Sequence, residues 1–214
     1  MFLQGVVGPQ SDLANGATEE IRLDNTGGIV TAPGRAPHAE QAIRGQVFAA
    51  NIPPGTGQAP GTAIGTTACF TLANPSGTGK NLVILQISVG YISGTLGAGV
   101  LTLLAHVSAG GAIVAPTGGT AITPTCMLLG SNLTSVANAR FNNTVPASGL
   151  QIRSVASLQA SLASTAVAPW QVLDPVNGAV VVGAGQAVSV QGIAAAGTSP
   201  LIVVGMVWAE EDAP

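Results

Sequence analysis

The stretch LVILQISVGYISGTLGAGVLTLLAHV, residues 82–107, decides the fold. It is apolar enough to raise the question of a membrane-spanning helix, which needs roughly 20 consecutive apolar residues. Gln86, Ser88 and the glycine-rich run 94–99 interrupt the apolar sequence, however, and β-branched residues are frequent before the glycines. The stretch therefore predicts two long strands joined by a turn.

The same alternation of short apolar runs with Gly- and Pro-containing turns extends from Gly45 to the end of the chain. Strands are predicted at 46–52, 63–72, 82–93, 100–107, 126–129, 172–173, 179–182, 186–193 and 201–209, with 132–143 as a loop or short helix and 154–168 as strand or loop. Aromatic residues make up only 3% of the chain, so the core should be aliphatic. About eight or nine core strands fit a jelly roll, and we expect residues 45–214 to form an all-β domain, a jelly-roll-like antiparallel β-sandwich.

Formal charge is scarce in this region. Between Gly45 and Ala209 only Lys80, Arg140, Arg153 and Asp174 are charged. A free soluble protein normally intersperses charges of both signs over its surface. Here small and uncharged polar residues take their place, which suits a subunit covered by other subunits or one built for durability, although ordinary β proteins also have such surfaces. We expect self-association, with a homotrimer as the specific prediction.

Residues 1–44 differ from the rest and hold 8 of the 15 formal charges, interrupted by Gly and Pro. They predict an N-terminal arm with two short strands, 20–23 and 28–31, joined by a turn. Two interpretations stay open, a flexible terminus and an extension that docks on a neighbouring subunit or particle. The charged candidates for that contact are Glu19, Glu20, Arg22, Arg35, Glu40 and Arg44.

Residues 77–81, Gly-Thr-Gly-Lys-Asn, match a phosphate-binding loop only in part. The P-loop requires a glycine where this chain has Asn74, and Ser or Thr where it has Asn81. A strand follows, so no helix N-terminus is available for a phosphate. A hairpin turn that carries Lys80 is the simpler interpretation, and no nucleotide or other cofactor is expected.

The other chemical groups also predict a protein that is not an enzyme. Asp174 is the only carboxylate of the β region before the acidic tail, and neither His38 nor His106 has an acidic neighbour in sequence. We expect His106 to be a core or interface residue. No Cys-x-x-Cys pair occurs, so no metal is expected. The six basic residues are scattered, and no signal peptide is recognisable, so neither nucleic acid nor a membrane is an expected partner.

Four large or reactive side chains favour structural roles. Cys69 and Cys126 lie in apolar stretches and are expected to be buried free thiols, with a disulfide as the alternative. Trp170 and Trp208 are the two largest side chains, and each is interpreted as a core plug or as an interface anchor.

A resemblance to a known family rests on four runs of sequence: AIRGQVF at 42–48, TLANPSGTGKNLVI at 71–84, GYISGTLGAG at 90–99 and VVGMVWAEE at 203–211. These runs resemble virion structural proteins of tailed bacteriophages, of the head decoration or cement-like kind. The resemblance implies a protein that is made in the host cytoplasm and built into the virion. It also implies a partner such as the major capsid protein or another virion protein, and it implies no ligand-binding residues.

Two functions therefore stand as expectations. The first is a capsid decoration (cement) protein that stabilises a bacteriophage head as a homotrimer. The alternative is a tail, spike or fibre component with a host-receptor-binding β domain. Sugar-binding tips usually offer aromatic and acidic side chains, and this chain has few of either. A carbohydrate-binding module outside a virus is disfavoured for the same reason.

Overall fold

Residues 37–109, 111–145, 149–159 and 171–213 are described by a computed structural model, which contains one short helix and eleven strands within these ranges. The elements are α1 (Ala39–Ile43), β1 (Val47–Asn51), β2 (Thr67–Ala73), β3 (Lys80–Ser93), β4 (Gly99–His106), β5 (Thr120–Ile122), β6 (Thr125–Cys126), β7 (Asn138–Thr144), β8 (Leu150–Leu158), β9 (Gln171–Val182), β10 (Ala187–Ala194) and β11 (Leu201–Asp212).

Two antiparallel sheets pack against each other. Their strand orders are β6-β1-β11-β3-β9 and β5-β7-β2-β10-β4-β8. Without the insertion β5–β7, the strands pair as β1 with β11, β2 with β10, β3 with β9 and β4 with β8, and successive pairs alternate between the sheets. This nested pairing is that of a long hairpin rolled into a sandwich, which is the jelly-roll arrangement. The predicted fold class is therefore confirmed.

The core lies between the sheets and is mainly aliphatic, as the composition predicts. On β3, Leu82 and Ile84 point inward before a bulge, and Ile87 and Val89 point inward after it; all four are fully buried. Burying each such side chain stabilises the fold by roughly 1.5–3 kcal/mol relative to leaving it exposed. The period-2 alternation of these long strands thus determines which of their side chains face the core.

The predicted turn at 94–99 is confirmed, and close packing explains its glycines. Gly94 has a φ of +83°, in the left-handed region. A Cβ atom on Gly97 would collide with the carbonyl of Ala195, and one on Gly197 would collide with the carbonyl of Thr95. The two loops at this end of the sandwich therefore touch through backbone, which only glycine permits.

Several predicted elements differ from the structure. The sequence predicts a loop or short helix at 132–143, yet its second half belongs to β7, with Ala139 and Phe141 in the core opposite Leu72 and Phe70. The predicted fragments 172–173 and 179–182 are parts of the single strand β9. Pro175 interrupts that pattern, but β9 lies at a sheet edge, which is where strands accommodate proline.

Residues 40–44 of the predicted arm belong by their contacts to the unit Glu40–Pro214, which contains the sandwich. The predicted strands 20–23 and 28–31 lie outside the described residues.

Candidate interaction surface

The arm residues that the structure describes, Glu40 and Arg44, both lie at α1. Arg44 Nε donates a hydrogen bond to Glu40 Oε1 at 2.9 Å, and both side chains are exposed. Between them in sequence, Gln41 Nε2 donates to Glu211 Oε1 at 2.8 Å and ties α1 to β11. The other four candidates, Glu19, Glu20, Arg22 and Arg35, lie outside the described residues, as does Trp170.

Trp208 is a core residue, which corrects its interpretation as an interface anchor. Its side chain has no exposed surface within one chain. The ring stacks on Phe48 of the neighbouring strand with centroids 6.5 Å apart, and Nε1 donates to Glu210 Oε1 at 3.3 Å. Trp208 therefore has no exposed surface for contact with a partner, and its large side chain fills part of the core.

The three acidic residues near the end of the chain bond to other segments of the domain instead of forming a solvated tail. Glu210 is buried and accepts hydrogen bonds from Ser135 Oγ and from the backbone N–H of Val136, at 3.1 Å in the latter case. Glu211 holds α1, and Asp212 pairs with Lys80 at 2.6 Å. Three successive carboxylates thus fasten three different segments to β11.

Lys80 ends the turn that follows β2, and Asn74 organises this turn. The Asn74 side chain donates to the carbonyls of Lys80 and Val182, at 2.7 and 3.0 Å, and accepts from Thr78 Oγ1 at 2.8 Å. Gly77 and Gly79 both have positive φ. The predicted turn is present, but it is not a hairpin: β2 and β3 belong to different sheets, so the turn carries the chain from one sheet to the other. Asn74 joins β2, β3 and β9 at this end of the sandwich.

Arg153 and Asp174 join the two sheets. Arg153 Nη2 lies 2.6 Å from Asp174 Oδ1, and the pair connects β8 with β9, the edge strands of the two sheets. Asp174 is buried, and its Oδ2 atom has no hydrogen-bond partner. The pair closes one side of the sandwich.

Arg140 is the remaining charged side chain of the described residues. Its Nη1 atom donates to the carbonyl of Gly118 at 2.8 Å. Every charged side chain in the described ranges therefore already has a partner within the chain. Arg140, Glu210 and Glu211 bond to uncharged groups and so keep their formal charge, whereas the other six form ion pairs.

His106 and Ser189 form a pair that the sequence did not reveal. His106 Nε2 lies 2.7 Å from Ser189 Oγ, across neighbouring strands β4 and β10. The distance suits a base and a nucleophile, but both residues are buried. A substrate has no access to the hydroxyl, so the pair acts as a structural hydrogen bond. It lies on the outer face of the six-stranded sheet, so His106 is buried but is not part of the core between the sheets.

Both cysteines are buried and free, as the sequence predicts. Burial raises the pKa of the Cys69 thiol from 9.0 to about 12, because the apolar surroundings disfavour the thiolate. Cys126 lies near the carbonyl of Gly45. Cys69 is consequently a packing residue with little nucleophilic character.

The outer face of the six-stranded sheet is covered by the chain itself. Thr71, Thr102, Ser189 and Gln191 point away from the core, yet they are almost completely buried. The backbone of Gly65 exchanges hydrogen bonds with the Gln191 amide. This face is therefore closed to a partner at its centre.

The outer face of the five-stranded sheet is covered only at one corner. There α1 contributes Ala42 to a small cluster around Val47, Leu85 and Ala209, which Met127 also contacts. Val181 lies on the edge strand β9, in the same row of register partners, and is 53% exposed. The cluster therefore covers only part of this row and leaves Val181 accessible.

The rest of this face is uncharged and open. Two rows of register partners cross it: Ala49, Val207, Gln86 and Pro175, then Asn51, Gly205, Ser88 and Leu173. All but Gly205 are half-buried or exposed, and Leu173 is 57% exposed. We call these two rows together with Val181 the open sheet face.

Comparison with models of protein families, with curated proteins and with solved structures found no match to this chain. In the described ranges, no three residues among His, Cys, Asp and Glu are grouped so as to hold a metal ion. None of the helical segments described is long and apolar enough to cross a membrane.

Proposed function

We propose that this chain is a structural subunit of a virus particle, specifically a decoration (cement) protein that stabilises a tailed-bacteriophage head as a homotrimer. The resemblance of the four sequence runs to phage virion proteins supports the viral assignment. The observation that carries the structural role is the open sheet face, on a domain whose described charges are already engaged within the chain.

This combination favours association over binding of charged ligands. Charged groups that are free at a surface steer diffusing partners and hold phosphates or carboxylates. Here they instead fasten segments of the same domain to one another, and the surface that remains is aliphatic, small and uncharged. A role without catalytic turnover or a bound cofactor fits such a surface.

The N-terminal residues are proposed to attach the domain to the particle, with the major capsid protein as partner. Residues 1–36 hold six of the chain's charges, Asp12, Glu19, Glu20, Arg22, Asp24 and Arg35. Exposed ion pairs contribute only about 0–1 kcal/mol each. These side chains would thus orient docking, while apolar and backbone contacts would hold it.

The test uses particles that lack this protein. Purified full-length chain should bind them at regular positions on the head, visible by electron microscopy with a labelled subunit. A deletion of 1–36, which leaves α1 intact, should remain folded and self-associated but no longer bind. Label on the tail instead of the head would favour the tail or spike alternative. Failure of the full-length chain to bind any part of the particle would contradict a virion role.

A further inference from the structure

Strand β9 contains the one Asn-Gly pair of the described residues, Asn177 and Gly178. We propose that Asn177 is a site of spontaneous covalent modification, at which the side-chain amide is lost and the residue becomes aspartate or isoaspartate. The reaction needs only this part of the strand and water. It therefore goes beyond the proposed function and does not depend on it.

The strand pairing leaves this pair outside the ladder. On β3 only Leu85 separates the two residues whose partners on β9 are Pro175 and Val180. Four residues of β9, 176–179, therefore lie opposite one residue of β3. β9 is an edge strand, so no second strand of the described residues pairs with it on its other side. The extra residues thus form a bulge whose backbone the ladder does not hold.

The bulge has the backbone conformation of a tight turn. Asn177 has a φ of +50° and Gly178 one of +80°. Two successive positive values are the pattern of a type I′ turn, for which Asn-Gly is preferred. The hydrogen bond of such a turn joins the residues before and after the pair, so it does not occupy the Gly178 N–H. Asn177 is exposed, and Gly178 adds no side chain to the space in which the two groups would react.

The chemistry is a ring closure followed by hydrolysis. The Gly178 backbone nitrogen attacks Cγ of Asn177 and forms a C–N bond. The side-chain nitrogen leaves as ammonia and takes with it the proton that the Gly178 nitrogen gives up. Water then opens the resulting cyclic imide. Opening at Cγ leaves aspartate, and opening at the main-chain carbonyl leaves isoaspartate, in which the backbone runs through the former side chain.

The modification changes β9 in two ways. Either product adds one negative charge to a strand whose only other charged residue is Asp174. Isoaspartate also adds one carbon atom to the backbone between Val176 and Val180, which both pack in the core. Copies of the chain that differ in age should consequently differ in charge and in the geometry of this bulge.

Asn142 provides a matched reference within the same chain. It also has a φ of +50° and is exposed. Its successor is Asn143, however, which has a buried side chain and pairs with Ala68 on β2. Gln58 Nε2 also donates a hydrogen bond to Asn142 Oδ1 at 3.4 Å. Conformation and exposure are therefore alike at the two asparagines, whereas the residue that supplies the attacking nitrogen differs.

The first experiment ages the purified full-length chain in neutral buffer and follows its peptides by mass spectrometry after digestion with pepsin. The peptide that contains Asn177 should gain the mass difference between an amide and an acid at least tenfold faster than the peptide that contains Asn142. Both aspartate and isoaspartate should be found in it. The other Asn-Gly pair, Asn15-Gly16, lies outside the described residues and falls in a different peptide. Asn177→Ser has no amide to lose and should show no change at this position.

The second experiment repeats the measurement on the chain unfolded in guanidinium chloride, which separates the effect of the fold from that of the sequence. Because the bulge leaves the pair open, the folded chain should react at Asn177 within about tenfold of the unfolded rate. A folded chain that reacts more slowly than that, or no faster at Asn177 than at Asn142, would show that the fold protects the site. Aspartate without isoaspartate would exclude the cyclic imide. Each of these results would overturn the proposal.

Discussion

Glu210 is a residue whose role depends entirely on its environment. In the sequence it begins a run of three acids and suggests a solvated tail. In the structure it lies under the 135–136 loop and receives hydrogen bonds from that loop and from Trp208. Ser135 is 75 positions away along the chain, so no local pattern could have predicted the contact.

Replacing Glu210 with Ala should lower the free energy of unfolding by about 2–4 kcal/mol, because the Trp208 and Val136 N–H groups would stay buried without an acceptor. The matched control is Asp212→Ala, which removes an exposed ion pair and should cost less than about 1 kcal/mol. Urea unfolding of both variants measures the difference. Equal losses would mean that the buried carboxylate is no more important than the exposed one.

The raised pKa of Cys69 predicts that the free energy of unfolding depends on pH. The folded thiol keeps its proton to about pH 12, whereas the unfolded one releases it near its ordinary value of 9.0. Above pH 9 the folded state therefore binds more protons than the unfolded state, and the free energy of unfolding falls as pH rises from about 9 to about 12. The slope from this group is at most about 1.4 kcal/mol per pH unit.

Cys69→Ala removes this contribution. Its absolute stability should be lower because of the cavity, but its stability should fall less steeply above pH 9, as denaturant unfolding at several pH values would show. Identical slopes in the two proteins would exclude Cys69 as the source.

At the scale of elements, Arg153 and Asp174 hold together β8 and β9, the edge strands of the two sheets. Arg153 keeps about a third of its side chain exposed, whereas Asp174 is almost buried. Loss of the arginine therefore leaves a carboxylate that is poorly hydrated and has no counter-charge.

Arg153→Met should destabilise the domain by about 1–3 kcal/mol, less than for a fully buried pair because water still reaches the arginine. The double variant Arg153→Met with Asp174→Leu should recover most of that loss, since no charge remains buried. Thermal or urea unfolding of the single and double variants tests this. A double variant less stable than the single one would show that the ion pair itself is stabilising.

Elements were predictable from the sequence where their signal is local. β3 and β4 follow from alternation, and the turn between them follows from its glycines. β7 was missed because Asn138, Arg140 and Asn142 on its outer side make the stretch look polar, although Ala139 and Phe141 alternate with them. The open sheet face could not be predicted, because its rows join residues such as Ala49, Val207 and Pro175 whose register is set only by the fold.

At the scale of the whole molecule, the described charges are engaged internally and the open sheet face is uncharged. Self-association should therefore depend little on ionic strength. Between about 0.05 M and about 1 M NaCl, where the Debye length falls from well above to well below 10 Å, the association constant should not decrease.

Sedimentation equilibrium across this range of salt measures that constant. A loss of more than about tenfold in affinity at high salt would indicate an electrostatic interface. The charges of the N-terminal residues would then be the first candidates for it, and a deletion of 1–36 would test them directly.

The nested strand order also has a consequence for synthesis on the ribosome. Gln41 and Glu211, which bond to each other, are 170 residues apart, and Trp208 reaches Phe48 only when the first and last strands pair. The innermost pair, β4 with β8, can form while the chain is still growing, but the five-stranded sheet lacks its central strand until β11 has emerged. An unfinished chain thus exposes one half of its core. Pairing between strands so distant in sequence is slow. Chaperones that shield apolar surface can therefore bind the chain before it leaves the ribosome.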